Sequence, residues 1–124
     1  MDAPRILVVE DDLFLRELYA DILKGEGYTV ESAADGIEAL AKIKEGGYDL
    51  ILLDIIMPKM DGLEVMRQAK KESPKSPNKK VIFLTNLDKD EEIKTALQLG
   101  DGYLIKSQIN PGNLIEEVKN YLGR

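Results

Sequence analysis

Five residues of this chain have side chains suited to joint chemistry: Glu10 and Asp11 in ILVVEDD, Asp54 in LILLDIIMPKMDG, Thr85 in VIFLTN and Lys106 in GYLIKS. Each follows an apolar run. Asp54 ends an unbroken run of four, residues 50–53, where a carboxylate is costly without a partner. If the strands carrying Glu10 and Asp54 are neighbours, Glu10, Asp11 and Asp54 share one small acidic pocket. Like charges at that range either retain a proton or bind a cation. Three hard oxygen ligands, with space for waters and a backbone carbonyl, suit Mg²⁺. Such an ion offers open positions to phosphate oxygens, Lys106 would neutralise another, and Thr85 would donate a hydrogen bond. A carboxylate can itself accept a phosphoryl group, so the chemistry indicated is phosphoryl transfer.

Taken singly, these residues also have ordinary structural explanations. Asp11 or Asp12 caps the first helix, Thr85 is a β-branched strand residue, and Lys106 is a solvated strand end. Asp54 is the hardest to explain without a partner.

The elements that must position them follow from periodicity. Short apolar segments recur at 5–9, 28–33, 50–54, 81–85 and 103–106 and read as strands. Between them, Leu15, Leu18, Tyr19 and Ile22 have helical spacing closed by Gly25. Asp35 with Glu38, Asp61 with Glu64, and Asp88 with Glu91 mark three further helix starts in the layout of a capping box. The last helix opens at Asn110-Pro111 and carries Leu114, Val118 and Tyr121 on its apolar side. Strand and helix alternate five times, which predicts one α/β domain over residues 1–124, a doubly wound parallel sheet with helices on both faces. In such folds ligands bind beyond the carboxyl ends of the strands, and Glu10, Asp54, Thr85 and Lys106 all fall at that edge.

Composition narrows the chemistry further. The 124 residues contain no cysteine and no histidine, which excludes thiol and imidazole catalysis and Cys/His zinc sites. The net charge of -6 argues against direct nucleic-acid binding. With neither a leader-like start nor an apolar run of membrane-spanning length, the expectation is a soluble cytoplasmic protein. The lysine-rich stretch KKESPKSPNKK, residues 70–80, reads as a solvated helix-to-strand connection.

The motifs ILVVEDD, LILLDIIMPKMDG, VIFLTN and GYLIKS, in this order and spacing, resemble the receiver domain of bacterial response regulators, the phosphoacceptor module of two-component signalling. The resemblance extends over essentially the whole chain. It implies a flavodoxin-like (βα)5 fold of strand order 2-1-3-4-5, the order shared by the chemotaxis member of the family. It makes Asp54 the phosphorylation site and gives Mg²⁺ to Glu10, Asp11, Asp54 and the main-chain carbonyl of Ile56. Thr85 becomes the hydroxyl that moves toward the phosphoryl group, Lys106 its ion-pair partner, and Tyr103 the aromatic that responds to Thr85. The implied partners are a histidine kinase or histidine phosphotransfer protein and a downstream protein target. No membrane partner is expected for the chain, and the implied output surface is helix 4, strand 5 and helix 5, also a possible homodimer face.

The chain departs from the family at three points. Ser107 follows Lys106 where proline with a cis bond is usual, Asn86 follows Thr85 where a small residue is usual, and residues 99–103 are about one residue short. The first bears on the aim of Lys106 and the last on the signalling face. Ile56, apolar and two residues past the acceptor, would not orient an attacking water, so slow decay of the phosphoryl state is expected. Two other readings account for less of the sequence. A haloacid-dehalogenase-type phosphohydrolase would need a second aspartate where Ile56 stands and a cap domain that 124 residues do not accommodate. A receiver-like scaffold that works without phosphorylation leaves the acidic, hydroxyl and lysine set unexplained.

Overall fold

Strand residues alternate between two faces, and in this chain the alternation divides the core in two. The structure, a computed structural model, describes residues 3–86 and 90–123. The strands are β1 (Arg5–Val9), β2 (Thr29–Ala33), β3 (Leu50–Asp54), β4 (Lys80–Thr85) and β5 (Gly102–Ile105). The helices are α1 (Leu13–Gly25), α2 (Gly36–Glu45), α3 (Gly62–Ala69), α4 (Asp90–Leu99) and α5 (Pro111–Leu122), with a short 3-10 turn at Lys106–Gln108. The sheet is parallel in the order β2-β1-β3-β4-β5. The doubly wound expectation and the 2-1-3-4-5 order both hold.

Odd-numbered residues of the central strands, such as Leu7, Ile51 and Phe83, pack with α2, α3 and α4 through Ile43, Val65 and Ala96. Even-numbered residues, such as Val8, Leu52 and Leu84, pack with α1 and α5 through Leu23 and Leu114. Because β3 is covered on both faces, its run of leucine and isoleucine is buried throughout.

Helix starts fall where the acids predicted them: Asp35 accepts from the Glu38 amide and Asp61 from the Glu64 amide, each at 2.8 Å. The reciprocal box is instead found at Asn110 and Asn113. The Asp88–Glu91 start lies outside the described residues. One face assignment shifts. In α1 the inner stripe is Tyr19, Ala20 and Leu23, with Leu15 and Ile22 at its margin, while Leu18 turns toward solvent.

The connection at 70–80 is more than a solvated link. Ser76 pairs with Gly46 in an isolated bridge, and Asn78 accepts from the Tyr48 amide while donating to the Ile43 carbonyl. Gly46 and Gly47 have positive φ, and a Cβ on Gly46 would lie 1.7 Å from the Ser76 carbonyl oxygen. At the same edge Asp101 caps the start of β4 by accepting from the Val81 amide at 2.8 Å. The amino-terminal edge of the sheet is therefore cross-tied by residues far apart in sequence.

Candidate functional site

The carboxyl edge collects the residues that the sequence singled out. Glu10 follows β1 directly, is fully buried, and donates its amide to the Ala33 carbonyl. Asp11 is exposed in the turn that follows. Asp12, rather than Asp11, caps α1, its Oδ1 accepting from the Leu15 amide at 3.0 Å. Asp54 closes β3 opposite Leu84 and is only 3% exposed. Lys106 is not the last residue of a strand as expected: β5 ends at Ile105, and Lys106 opens the 3-10 turn. No cis peptide bond occurs among the described residues, and with serine after it Lys106 still reaches the acids.

Past Asp54, the Met57-Pro58 turn stops the strand and Gly62 brings the chain back. Its amide donates to the Ile55 carbonyl at 2.7 Å, and a Cβ added there would lie 2.2 Å from the Asp54 carbonyl oxygen. Gly62→Ala should therefore push on the Asp54 backbone and cost about 1–3 kcal/mol, read from urea unfolding. An unchanged midpoint would contradict this close packing.

Two acids share one base. The Lys106 ammonium donates to Asp54 Oδ2 at 3.1 Å and pairs with Glu10 Oε1. The second contact is a charge pairing without hydrogen-bond alignment, so Glu10 Oε1 is buried and lacks an aligned donor. Burial, reinforced by Glu10, pushes Asp54 up to about 8, against the pull of Lys106. Burial also works to raise Glu10, but Asp54 and Lys106 outweigh it and hold this carboxyl below its usual range. Asp11 is raised by burial and by Glu10. For Lys106, burial is overcome by the two acids and its pKa rises. The pair Glu10 and Asp54 thus shares a proton beside a fixed cation.

Glu10, Asp11 and Asp54 each offer one carboxylate oxygen, all within 4.8 Å of one another. Together with the unaligned buried oxygen of Glu10, this all-oxygen donor set fits a small hard dication. The acids, Lys106 and the exposed Ile56 line a cleft of about 440 Å³ that Asn86 and Ser107 also border.

Thr85 and Tyr103 are not in the lining of that cleft. Thr85 is buried at the end of β4, and Tyr103 packs against the core on the α2–α4 side. One cleft residue, and one that holds the turn beside it, escaped the sequence reading. Tyr19 is a buried wall of the cleft. Arg16 donates to the carbonyls of Glu10 at 2.8 Å and Asp11 at 3.3 Å. A cation four residues after a capping acid was the available signal for Arg16. A larger hollow, about 590 Å³, opens at the opposite edge. It lacks convergent acids, and its Lys44 and Lys79 are occupied by Glu72 and Asp49.

Buried paired acids and a lysine at the carboxyl edge of a 2-1-3-4-5 sheet define a class of phosphoryl-handling folds, and comparison with known proteins places the chain within it. The family model for the response regulator receiver domain matches residues 6–119, and the chain belongs to this family. It is a receiver domain of the two-component response regulator type. It is 36% identical to the chemotaxis protein CheY of Treponema pallidum, covering 95% of this chain and 82% of that protein. It is 38% identical to a CpxR homolog, a transcriptional regulatory protein of Haemophilus influenzae, over 97% of this chain and 51% of the relative. The chain thus spans about half the length of that regulator. A CheY-like receiver domain structure from Methanospirillum hungatei superposes with a TM-score of 0.87 at 37% identity, covering 98% and 95% of the two chains. The response regulator TrrA of Thermotoga maritima, solved in complex with Mg²⁺-BeF, gives 0.79 at 38% identity, covering 95% and 98%. Among the described residues no helix is long and apolar enough to cross a membrane.

Proposed function

We propose that Asp54 accepts a phosphoryl group from a phosphohistidine of a histidine kinase or phosphotransfer protein, in a reaction assisted by Mg²⁺. The observation that carries this reading is the buried Asp54 carboxylate at 3.1 Å from the Lys106 ammonium, beside two further acids. The Asp54 oxygen attacks phosphorus, the P–N bond breaks, and its electron pair stays on the imidazole nitrogen. Lys106 then moves its charge from carboxylate to phosphoryl oxygen, and Thr85 supplies a hydroxyl donor from the end of β4. Glu10, Asp11, Asp54 and the Ile56 carbonyl would hold the Mg²⁺. When bound, that ion supplies charge neutralisation for the phosphoryl oxygens. The response would be read at α4, β5 and α5 by a downstream protein or a second copy, with Tyr103 following Thr85, in the cytoplasm.

Incubation with acetyl phosphate tests this reading: intact mass should rise by one phosphoryl group with Mg²⁺ present and stay unchanged with chelator. An unmodified mass in both arms would sink it. A phosphohydrolase is disfavoured by Ile56, whose apolar, 57% exposed side chain stands where a second acid would be needed. The same side chain offers no group to orient water. The phosphoryl state should therefore decay slowly, and Ile56→Glu should shorten its lifetime, as followed by mass after donor removal; equal lifetimes would contradict this.

Metal affinity should depend on pH. A proton leaves Asp54 when a cation binds, so affinity rises from pH 6 toward about 8, by at most tenfold per unit, and flattens above that. Calorimetric titration with Mg²⁺ checks it, and a flat profile over this range would contradict the buried-proton assignment.

A further inference from the structure

The three acids are not equally held. Asp54 lies within β3, and Glu10 is buried with its amide tied to β2. Asp11 is exposed in the turn between β1 and α1. What fixes it comes from α1. Arg16 folds back so that Nη1 donates to the Glu10 carbonyl at 2.8 Å and to the Asp11 carbonyl at 3.3 Å. Those two carbonyls belong to the two peptide planes on either side of the Asp11 Cα. Each plane is rigid, so holding both leaves Asp11 little freedom in φ or ψ and sets the direction of its side chain. Arg16 makes no ion pair among the described residues, although Asp12 lies one helical turn before it. Its charge is directed at the turn itself.

We propose that Arg16 is a positioning residue for the divalent cation and acts through Asp11. This rests on the Mg²⁺ reading above. The Arg16 guanidinium holds the Asp11 carboxylate within the 4.8 Å cluster it forms with Glu10 and Asp54. Outer-shell groups that orient ligands change metal affinity by roughly 10–100-fold. Arg16 orients one ligand of several and from the main chain, so the lower end applies. A lysine there has no planar guanidinium and would recover part of the effect.

The test is calorimetric titration of Mg²⁺ into the parent, Arg16→Ala, Arg16→Lys, Asp11→Asn and the double variant Arg16→Ala with Asp11→Asn, with urea unfolding of each in the absence of metal. Arg16→Ala should bind about tenfold more weakly while it remains fully folded in the absence of urea, and Arg16→Lys should lie between. In the Asp11→Asn background, removing Arg16 should change affinity less than twofold, because the ligand it positions is already gone. Unchanged affinity in Arg16→Ala overturns the proposal, as does a double variant whose loss is the product of the two single losses. So does an affinity loss matched by loss of folding. A parent that binds no Mg²⁺ overturns the metal reading and this proposal with it, whereas a binding parent with an indifferent Arg16→Ala overturns this proposal alone.

Discussion

Asp54→Asn should take up no phosphoryl group from acetyl phosphate and Mg²⁺ under conditions that load the parent, and in the absence of metal it should also be the more stable protein. The first result follows from losing the nucleophilic oxygen pair. The second follows from the excess of buried acid over base. Glu10 and Asp54 share Lys106, and once Asp54 is neutral the pair Glu10 and Lys106 is balanced. The sign with pH is set by the raised carboxyl. Asp54 titrates at about 8 folded and near the ordinary aspartate value, about 4, unfolded. Between those values the folded state keeps a proton that the unfolded state has released, so the parent loses stability as pH rises through that window. Asparagine carries no such dependence. The variant's advantage should be absent near pH 4 and reach about 1–4 kcal/mol above pH 8, the range found when buried charge is removed. Intact mass and urea unfolding at both pH values check it. A phosphoryl adduct on the variant, or a variant less stable than the parent at pH 8, would refute the assignment.

Removing the base should do the reverse. Lys106→Met leaves Glu10 and Asp54 buried together without a counter-charge, and breaking a buried pair in this way costs about 3–5 kcal/mol. The loss should be greatest at pH 8, where both acids tend to ionise, and smaller at pH 5, where Asp54 holds its proton. Mg²⁺ should restore part of the stability, because a dication replaces the missing ammonium. Phosphoryl uptake should slow by roughly 10²–10³, the usual consequence of deleting one donor to a transferring group. Equal losses at pH 5 and pH 8, or unaltered uptake, would show that Lys106 is a bystander.

The parts of this molecule that were legible in sequence are those governed by local pattern. The unbroken run before Asp54 announced a strand covered on both faces, and Asp35, Asp61 and Asn110 announced helix starts through bonds to amides three residues on. What was not legible depends on rotation or on distant partners. Leu18 fits the helical stripe of Leu15, Tyr19 and Ile22 by spacing, and only the position of the sheet turns Leu23 inward and leaves Leu18 toward solvent. Asp11 and Asp12 are chemically the same, and only the folded turn makes Asp12 the cap and puts an Asp11 oxygen with Glu10 and Asp54. The lysine-rich connection looked unattached because its partners, Gly46, Tyr48 and Ile43, are thirty or more residues earlier in the sequence.

Those cross-ties give the sheet a mechanical ground. With Ser76 bridged to Gly46 and Asp101 clasping the start of β4, one end of the β3–β4 pair is anchored. A change of charge at Asp54 acts at the opposite end of the same strands. Strain raised there finds the base of the sheet clamped, so the compliant path is outward, through the turns that carry Asn86 and Lys106.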